Sequence, residues 1–583
     1  MIRTLAAPAL CAGLLLSPAF AGPAPSASSV PPEPPRLTVD TAYEPPHGRI
    51  IKVPRGGDLQ RALDDARGGD IITLEPGAVY TGPFTLPVKR GAAWIVVRTE
   101  TADKHLPPPG KRIDPSYAPA LPKLVAAPDE PVLRTEAGAH HYRFIGLEVH
   151  PAADAAASPT QMARAVRNLI KGGEITDALR FSNQTLVQLG ANRQNSAEVP
   201  HHIIFDRCYL HGGPRGARRG IALNSSHTAV IDSWLADFKT VGEDSQALAG
   251  WNGPGPFRIE NNYLEGAGEN VMFGGGTPSI PELVPSDIEI HGNHFAKPLA
   301  WKAGEPNYAG TPWTVKNLFE LKNARRVHVA GNLFEHNWLQ AQDGFAVLFT
   351  VRTENDAVPW AVVEDVAFEN NLVRQSASGI NIMGIDDGSR AGNGRARRIA
   401  IRNNLFDEIG GERWGGHGRL FQLLDGTEHL EITHNTAFQT DAIIFGERSP
   451  HRGFVFADNI VEHNEYGIIG SGFGSGRPTL ERYFPQAVVQ RNVMVNGAAE
   501  LYPDGNFFPH SLDDVGFVDR ASGDYRLRAG SQYARAGEAG AAVGADFELL
   551  RAQLGYLWPA ARQNLAEEKQ SWSIQSKQSP RSN

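Results

Sequence analysis

The stretch RRVHVAGNLFEHN (residues 325–337) has the same pattern of residue types as RRIAIRNNLFDEI (residues 397–409). Each copy contains a basic pair, alternating aliphatic residues, a polar step, an asparagine and two apolar residues. The alternation has the period of two that a half-buried β-strand requires, and the asparagine ends it at the same place. The two stretches therefore predict a repeated unit made of a strand and a tight turn.

The same unit recurs along most of the chain. Aligned copies such as FRIENNYL and LEITHNTA place an asparagine at one fixed position, at intervals of 24 to 39 residues: Asn262, Asn293, Asn332, Asn371, Asn404, Asn435, Asn459 and Asn492. In IIFDRCYL the same position is taken by Cys208. Asparagine tolerates the left-handed backbone of a tight turn, and stacked copies can hydrogen-bond through their side-chain amides. We expect these asparagines to form a ladder.

A helical solenoid also repeats at this interval, so the local pattern has to decide between the two. The units alternate with period two, are rich in Val, Ile and Phe, and are punctuated by Gly and Asn, which is typical of strands. Further short strands follow each asparagine, for example GFAVLFT, GINIMG and RLFQLLDG. Two or three short strands per coil predict an all-β parallel β-helix.

These Asn-punctuated coils resemble the right-handed parallel β-helix, or pectin-lyase-like, superfamily over about residues 50–546. GGDLQRALDDARGGDIITLEPGAVY (residues 56–80) resembles the capping helix and strand at the start of such solenoids, with Asp58 as the helix N-cap. DYRLRAGSQYARAGEAGAAVGAD (residues 524–546) resembles their final segment. The resemblance implies a right-handed parallel β-helix over residues 49–546. It leaves the activity open, because the superfamily contains lyases, hydrolases, epimerases, esterases, tailspikes and adhesins.

The two ends of the chain predict export and little packing. Residues 1–21 have Arg3, an apolar run and Ala19-Phe20-Ala21, which is typical of a signal peptide, so we expect a secreted or periplasmic protein. Residues 22–48 are predicted to be a Pro-rich linker that extends as a tether without packing. Residues 547–583 are predicted to be a largely disordered C-terminal tail. Removal of residues 1–21 would leave Cys208 as the only cysteine, so no disulfide is expected.

Charge and motifs exclude several classes of function. The net charge of -8 comes from interspersed acidic and basic residues without a basic stripe, so nucleic acid is not expected as a partner. No later segment is apolar over a membrane-spanning length, and a monomer is expected. The sequence has no His-Glu-x-x-His spacing, no Gly-x-Ser-x-Gly elbow and no phosphate-binding loop. The arginine pairs at 325–326 and 397–398 recur with the repeat and are predicted to be solvated surface of the coils.

A row of polar residues is predicted on one lateral face, where solenoids carry their binding sites. Alternation around Val271, Phe273, Phe319 and Leu321 as inward residues leaves five polar side chains pointing outward: Asn270, Glu320, Lys322, Asn381 and Gln422. Neighbouring loops add further polar and aromatic residues: Glu265, Glu269, Asp343, Arg352, Asp386, Asp387, Arg419, Trp251, Trp313, Trp338 and Trp414. The alternative is that this row is ordinary solvated surface.

The resemblance implies an activity for this row. In the chondroitinase and alginate lyase members of the superfamily, Asn and Glu on adjacent coils hold Ca²⁺, and nearby Lys and Arg act as base and partner. By type and order, Asn270 and Glu320 would bind the metal and Lys322 and Arg352 would be catalytic. The expected substrate-binding residues are Trp251, Asn270, Trp338, Asn381 and Gln422. The expected second glutamate beside Glu320 is missing, since Lys322 stands there.

The sequence therefore predicts a secreted lyase that cleaves an acidic, uronate-containing glycan by β-elimination. Two alternatives stay open. One is a non-catalytic glycan-binding or adhesin-like protein on the same scaffold. The other is a glycoside hydrolase, for which Gly416-His417-Gly418 and the preceding Asp386-Asp387 supply candidate groups.

Overall fold

The structure, a computed structural model, describes residues 29–127, 130–152, 184–352, 357–386 and 394–558. The predicted signal peptide, the first residues of the predicted linker, Asp387 and residues 559–583 lie outside this part of the chain. Within it, no helix is long and apolar enough to cross a membrane.

Three long parallel sheets form the molecule, and each coil passes through them in turn. Sheet 1 has 14 strands: Ile50–Val53, Ile71–Leu74, Ile95–Thr99, His140–Ile145, His201–Asp206, Ser226–Ile231, Phe257–Glu260, Ser286–His291, Ala324–Ala330, Val363–Glu369, Ala396–Arg402, Glu428–Thr433, Val455–Ala457 and Val488–Gln490. Sheet 2 has 13 strands: Val79–Thr81, Lys123–Ala126, Glu148–Pro151, Tyr209–His211, Trp234–Phe238, Tyr263–Gly266, His294–Ala296, Leu333–Asn337, Leu372–Ser376, Leu405–Ile409, Thr436–Gln439, Ile460–Glu462 and Val493–Val495. Sheet 3 has 12 strands: Phe84–Leu86, Leu133–Thr135, Thr185–Leu189, Arg219–Leu223, Gln246–Gly250, Glu269–Phe273, Asn317–Leu321, Phe345–Thr350, Ser378–Met383, Phe421–Leu424, Ile444–Glu447 and Ile468–Gly470.

Helices are few and short. The described chain has three α-helices, Leu59–Asp65, Arg477–Tyr483 and Phe547–Leu554, and one antiparallel pair of strands, Phe517–Asp519 and Asp524–Leu527. Its 3₁₀ turns are Asp103–His105, Pro115–Ala120, Ser196–Glu198, Leu299–Trp301, Ala499–Leu501, Leu512–Val515, Arg520–Ser522, Gln532–Arg535 and Glu538–Gly540. Three stacked parallel sheets in this order make a right-handed parallel β-helix, and the predicted all-β fold is confirmed.

The core is a set of columns in which one coil's apolar residue lies on the next coil's. In sheet 3, Val271 pairs with Phe319 and Phe319 with Val347, and all three are fully buried. In sheet 2, the rings of Phe295 and Phe334 stack with centroids 4.4 Å apart. Burial of such a side chain stabilises the fold by about 1.5–3 kcal/mol, and every coil repeats it.

The asparagine ladder is present, with one correction to its geometry. From Asn262 to Asn459, each ladder asparagine donates two hydrogen bonds to the Oδ1 of the next one. The donors are its backbone N–H and its side-chain amide, and the distances are 2.9–3.2 Å. Asn506 extends the ladder beyond the predicted end at Asn492. The residue with the left-handed backbone is the one before each ladder asparagine, as at Asn403 with φ 53°. The ladder asparagine itself is therefore needed for its side-chain hydrogen bonds and not for its backbone conformation.

The prediction that the Pro-rich linker does not pack is wrong for residues 29–48, which we call the strap. The strap lies along the outer face of sheet 1. The backbone N–H groups of Glu33 and Arg36 donate to Asp365 and Asp287 at 2.9 Å, and Val39 is buried against the sheet. The backbone N–H groups of an extended chain have no partners within the chain itself. Carboxylates from different coils of sheet 1 accept hydrogen bonds from two of them here.

The predicted disordered tail is wrong at its start. The helix Phe547–Leu554 buries Phe547, Leu550 and Leu554, which have helical spacing, and Asp546 caps it. These side chains pack in one cluster with an apolar column on the outside of sheet 2 that includes Leu333 and Leu372. Apolar residues on the outer face of a sheet need a cover, and the end of the chain supplies it.

Candidate functional site

The outer face of sheet 3 does not follow strict alternation, and this changes the predicted row. The two strands keep one register, in which Glu269 pairs with Asn317 and Val271 with Phe319. Asn270 and Val271 are nevertheless both fully buried, so two consecutive inward residues break the alternation. The outward positions of the two strands are therefore Glu269 and Met272 on one, and Asn317 and Glu320 on the other. The prediction that Asn270 points outward is wrong.

Asn270 is fully buried at a corner of the coil. Its amide donates to the carbonyls of Leu264 and Ala296 at 2.6 and 2.9 Å. Its Oδ1 accepts from Lys297 Nζ at 3.2 Å, and Lys297 also donates to backbone carbonyls at residues 266–268 and at Asn317. A buried ammonium with five oxygen partners fixes the turn that leads into Glu269. Asn270 and Lys297 are therefore support for the site and no ligands of a substrate.

The carboxylates of Glu269 and Glu320 are the centre of the outer face. Glu320 is 2% exposed and its Oε1 lies 3.4 Å from Lys322 Nζ, as the predicted outward orientation of both requires. Glu269 is fully buried, accepts from Gln246 Nε2 at 2.8 Å, and lies 3.6 Å from Lys316 Nζ. We call Glu269, Asn317, Glu320, Lys316 and Lys322 the sheet 3 site.

Burial and charge make Glu269 unusual. Burial raises the pKa of Glu269 to about 7, and the negative charge of Glu320 adds to the rise. Lys316 and Lys322 oppose it only in part. The two lysines therefore do not fully compensate the negative charge of the two carboxylates. The arrangement is thus suited to bind positive charge or to hold a proton.

Three acceptor oxygens of the sheet 3 site have no hydrogen-bond partner although they are buried: Glu269 Oε1, Asn317 Oδ1 and Glu320 Oε2. Buried polar atoms are nearly always paired, so three such oxygens on adjacent strands indicate a missing partner. Carboxylate and amide oxygens are the donors that Ca²⁺ prefers. The residues therefore fit a calcium ion, with Glu269 and Asn317 in place of the predicted Asn270.

The predicted aromatic residues divide into two groups. Trp251 is half-buried beside the sheet 3 site, with the Arg219 guanidinium 4.9 Å from its ring centroid. Trp338 is 4% exposed and packs in an aromatic cluster with Trp301, Trp313 and Trp414. A ring enclosed by other rings cannot stack on a sugar, so the prediction of Trp338 as a substrate-binding residue is wrong.

The remaining predicted residues lie on later coils of the same face. Asn381 and Gln422 are register partners, and Leu348 separates Asn381 from Glu320. Gln422 accepts from Arg419 at 2.8 Å, and Asn381 keeps a buried Oδ1 without a partner. Arg352 donates its backbone N–H to the Lys322 carbonyl at 3.2 Å, and its exposed guanidinium lies 3.9 Å from Asp386. The structure thus brings Lys322 and Arg352 together and places Asn381 and Gln422 further along the face.

A separate hollow of about 520 Å³ opens at the outer face of sheet 2. Trp234, Trp301 and Trp313 line it, and Glu265 lies in its wall. Glu265 accepts from the Tyr263 hydroxyl at 2.7 Å and from the Asp237 N–H at 3.0 Å, and burial raises its pKa to about 7. The Asp237 carboxylate pairs with Lys239. This hollow combines aromatic walls with a carboxyl group that keeps its proton near neutral pH.

No protein-family model matches the sequence, and no curated protein matches it. Among solved structures, the chain is similar to the catalytic unit of a GH87 α-1,3-glucanase from Streptomyces thermodiastaticus, with 11% identity and a TM-score of 0.45 over 82% of this chain and 72% of that one. It is also similar to an alginate lyase from Paenibacillus, with 11% identity and a TM-score of 0.33 over 66% of this chain and 99% of that one. A third similarity is to PfbA, a surface adhesin of Streptococcus pneumoniae, with 10% identity and a TM-score of 0.42 over 71% of this chain and 86% of that one. Similarities of this size carry no argument about activity.

The sequence analysis placed Glu269 in a neighbouring loop, and it missed Asn317, Lys316 and Lys297. Glu269 and Asn317 are the first residues of their strands, and the signal for them was the polar residue opening each of ENVMF and NLFEL. Lys316 directly precedes the second strand and carries no pattern of its own. Lys297 had no signal, because its five partners come from turns that only the folded coil brings together.

Proposed function

We propose that the chain is a secreted polysaccharide lyase that cleaves an acidic, uronate-containing glycan on the outer face of sheet 3. The observation that supports this most is the sheet 3 site, where two buried carboxylates and two lysines meet beside a half-buried tryptophan. β-Elimination next to a uronate needs its carboxylate neutralised, its C5 proton removed and its departing O4 stabilised. The site offers cationic and basic groups for these tasks.

Each residue has a part in this proposal. Lys322 takes the C5 proton, the electrons of that bond form the C4–C5 double bond, and the C4–O4 bond breaks. Lys322 takes this proton as the neutral amine, which Glu320 Oε1, 3.4 Å from its Nζ, holds in place. Arg352, which lies just after the following strand and donates its backbone N–H to the Lys322 carbonyl, stabilises the departing oxygen, which takes a proton from water. Trp251 stacks on a neighbouring sugar, and Asn381 and Gln422 bind the chain further along the face.

Calcium belongs to the proposal as a bound ion. Glu269, Asn317 and Glu320 would hold it through the three oxygens that have no hydrogen-bond partner. When bound, it would neutralise the uronate carboxylate and make the C5 proton more acidic. Glu320 can serve both roles because Lys322 pairs with its other oxygen.

The test is to incubate the mature protein with a panel of uronate polysaccharides, with calcium and with a chelator. Unsaturated products should form on one of them, and Lys322→Ala should lower turnover by about 10²–10⁴-fold, the usual loss of a general base. Lys52→Ala is the matched control, because Lys52 also lies 3.6 Å from a glutamate, Glu100, but on sheet 1. Full activity of Lys322→Ala would remove Lys322 from the mechanism.

A glycoside hydrolase is the second candidate, and the hollow of sheet 2 favours it. A carboxyl group with its pKa raised to about 7 beside tryptophan walls is what a general acid for glycosidic cleavage requires. In that case reducing ends should appear without unsaturated products. Glu265→Gln should abolish the reaction, and Lys322→Ala should leave it intact. Binding of a glycan without any product would instead support the adhesin-like alternative.

A further inference from the structure

Five histidines form a compact cluster on the outer face of sheet 1, on three consecutive coils. We call them the histidine cluster: His140, His141, His201, His202 and His227. All five are half-buried. They lie on a different sheet from both candidate glycan sites, and neither proposed activity uses them.

The backbone places these rings in two columns. His141, His202 and His227 share a left-handed backbone, with φ of 60°, 55° and 46°, so their side chains leave the sheet in the same direction. Their rings stack with centroids 4.5 Å apart and planes within 5°. In the second column His140 stacks on His201 at 4.8 Å and 7°.

Ring nitrogens from the two columns face each other. His140 Nδ1 lies 2.8 Å from His141 Nδ1, and His201 Nδ1 lies 2.7 Å from His202 Nδ1. Donor nitrogens of His141, His201 and His202 all lie within 4.8 Å of one another. Two imidazole nitrogens on a tetrahedral zinc ion, at about 2.0–2.1 Å from it, are about 3.3 Å apart. Binding would therefore require side-chain rotations that move the facing nitrogens apart.

Burial favours the neutral form of His141, His201, His202 and His227, which is the form of imidazole that binds a metal ion. Burial, followed by repulsion from the neighbouring imidazoles, lowers the pKa of His141 and of His202 to about 4. Burial also lowers the pKa of His201 and His227. Neutral imidazoles present lone pairs near neutral pH, so a metal ion would displace few protons on binding.

Two other groups of potential ligands in the described chain compare poorly with this one. In the first, Glu148 with His150 and His211, the carboxylate is already paired with Lys123. In the second, His434 with Asp458 and Glu538, the carboxylate of Asp458 receives two hydrogen bonds from Arg491. In the histidine cluster, by contrast, the rings of His141 and His202 contact other imidazoles and the ring of Trp94.

We propose that the histidine cluster binds one divalent first-row transition metal ion through imidazoles of His141, His201 and His202, with His140 beside them. Three or more neutral imidazoles without carboxylates suit Zn²⁺, Cu²⁺ or Ni²⁺ and disfavour Ca²⁺ or Mg²⁺. The ion would join two consecutive coils of sheet 1 next to Trp94, whose ring lies 5.3 Å from that of His141.

The experiment uses the full mature chain, produced without a histidine tag, stripped with a chelator and titrated with ZnCl₂ alone. We expect one equivalent of zinc to bind and the melting temperature to rise with it. Co²⁺ should give the visible absorption of a tetrahedral site with nitrogen ligands. The double variant His141→Asn/His202→Asn should weaken binding by at least about tenfold for each ligand lost and abolish the cobalt spectrum. Asparagine is chosen because it tolerates the positive φ at both positions.

His429→Asn is the matched control. His429 lies on the same sheet with φ 53°, but its coil neighbours offer no second imidazole. This variant should bind zinc like the unmodified chain. The proposal is overturned if the unmodified chain binds no zinc at equimolar concentration. It is equally overturned if the double variant folds and binds zinc with unchanged affinity, since the ion would then belong to another group.

Discussion

At the scale of single residues, the ladder asparagine connects three coils at once. Asn404 Oδ1 accepts from both the N–H and the side-chain amide of Asn371, while its own amide donates to the Phe368 carbonyl and to Asn435. All of these atoms are buried. A side chain that hydrogen-bonds to four backbone and side-chain groups is difficult to replace, because its removal takes one hydrogen bond from each of them where water does not reach.

Asn404→Ala should therefore lower the melting temperature clearly. Each buried group left unpaired costs about 1–3 kcal/mol. Asn506→Ala is the comparison, since this last position of the ladder is only half-buried and water can replace the lost bonds. Thermal unfolding followed by circular dichroism measures both. Equal melting temperatures for the Asn404→Ala variant and the unmodified chain would contradict the role given to the ladder.

Because its pKa is raised, Glu269 should change the free energy of unfolding with pH in the opposite direction to most carboxylates. Its pKa is raised to about 7 in the folded chain, against about 4.3 in an unfolded one, so the folded state holds the proton more tightly. The stability from this group is complete below the unfolded pKa and is lost as pH rises through about 7. In the presence of a chelator, Glu269→Gln should flatten this decline. Glu289→Gln on sheet 1 is the control, and an identical pH dependence in both variants would contradict the prediction.

At the scale of elements, the sequence predicted most where one rule repeats. Strand type, the inward columns around Val271 and Phe319, and the ladder all follow from period-two alternation copied from coil to coil. The lateral site was predicted only in part, because the alternation is broken at Asn270, near the start of its strand, and holds only after it. Asn270 was misplaced for this reason, and Glu269 was underrated. The partners of Lys297 and the enclosure of Trp338 depend on contacts between loops distant in sequence, which no local pattern records.

The strap is an element whose contribution can be measured directly. It runs across several coils of sheet 1, bound by carboxylates through its backbone and by Val39 through an apolar contact with Ile204 and Ala229. Val39→Asp should release it, because an unpaired buried carboxylate is costly. We expect faster proteolysis within residues 29–48 and a lower melting temperature. Val30→Asp, at a position 45% exposed, is the control. Protection of the strap in the Val39→Asp variant would contradict this account.

At the scale of the whole molecule, the strands of each coil pair only with those of its neighbours, so most of the stability is distributed along the solenoid and function is local. The strap and the helix Phe547–Leu554 are the elements that extend over several coils. Strand pairs continue along each sheet from coil to coil, with register shifts in sheet 2 at Leu235/Phe238 and at Phe406/Ile409. The sheet 3 site occupies two adjacent strands near the middle. Stability lost at one coil should consequently affect a distant coil less than an adjacent one.

Two ladder positions with the same partners test this locality. Asn332 and Asn459 each donate to two backbone carbonyls and to the next asparagine. They differ in their distance from the sheet 3 site, because Asn332 lies on the same coil as Glu320 and Asn459 lies several coils further along. Asn332→Ala and Asn459→Ala should lower the melting temperature by similar amounts. On heating, the Asn332→Ala variant should lose turnover on its glycan, or glycan binding, several degrees below the loss of its circular dichroism signal. In the Asn459→Ala variant the two losses should occur much closer together. If both variants lost activity and structure at the same temperature, the coils would unfold as a single unit, and the site would depend on the entire solenoid.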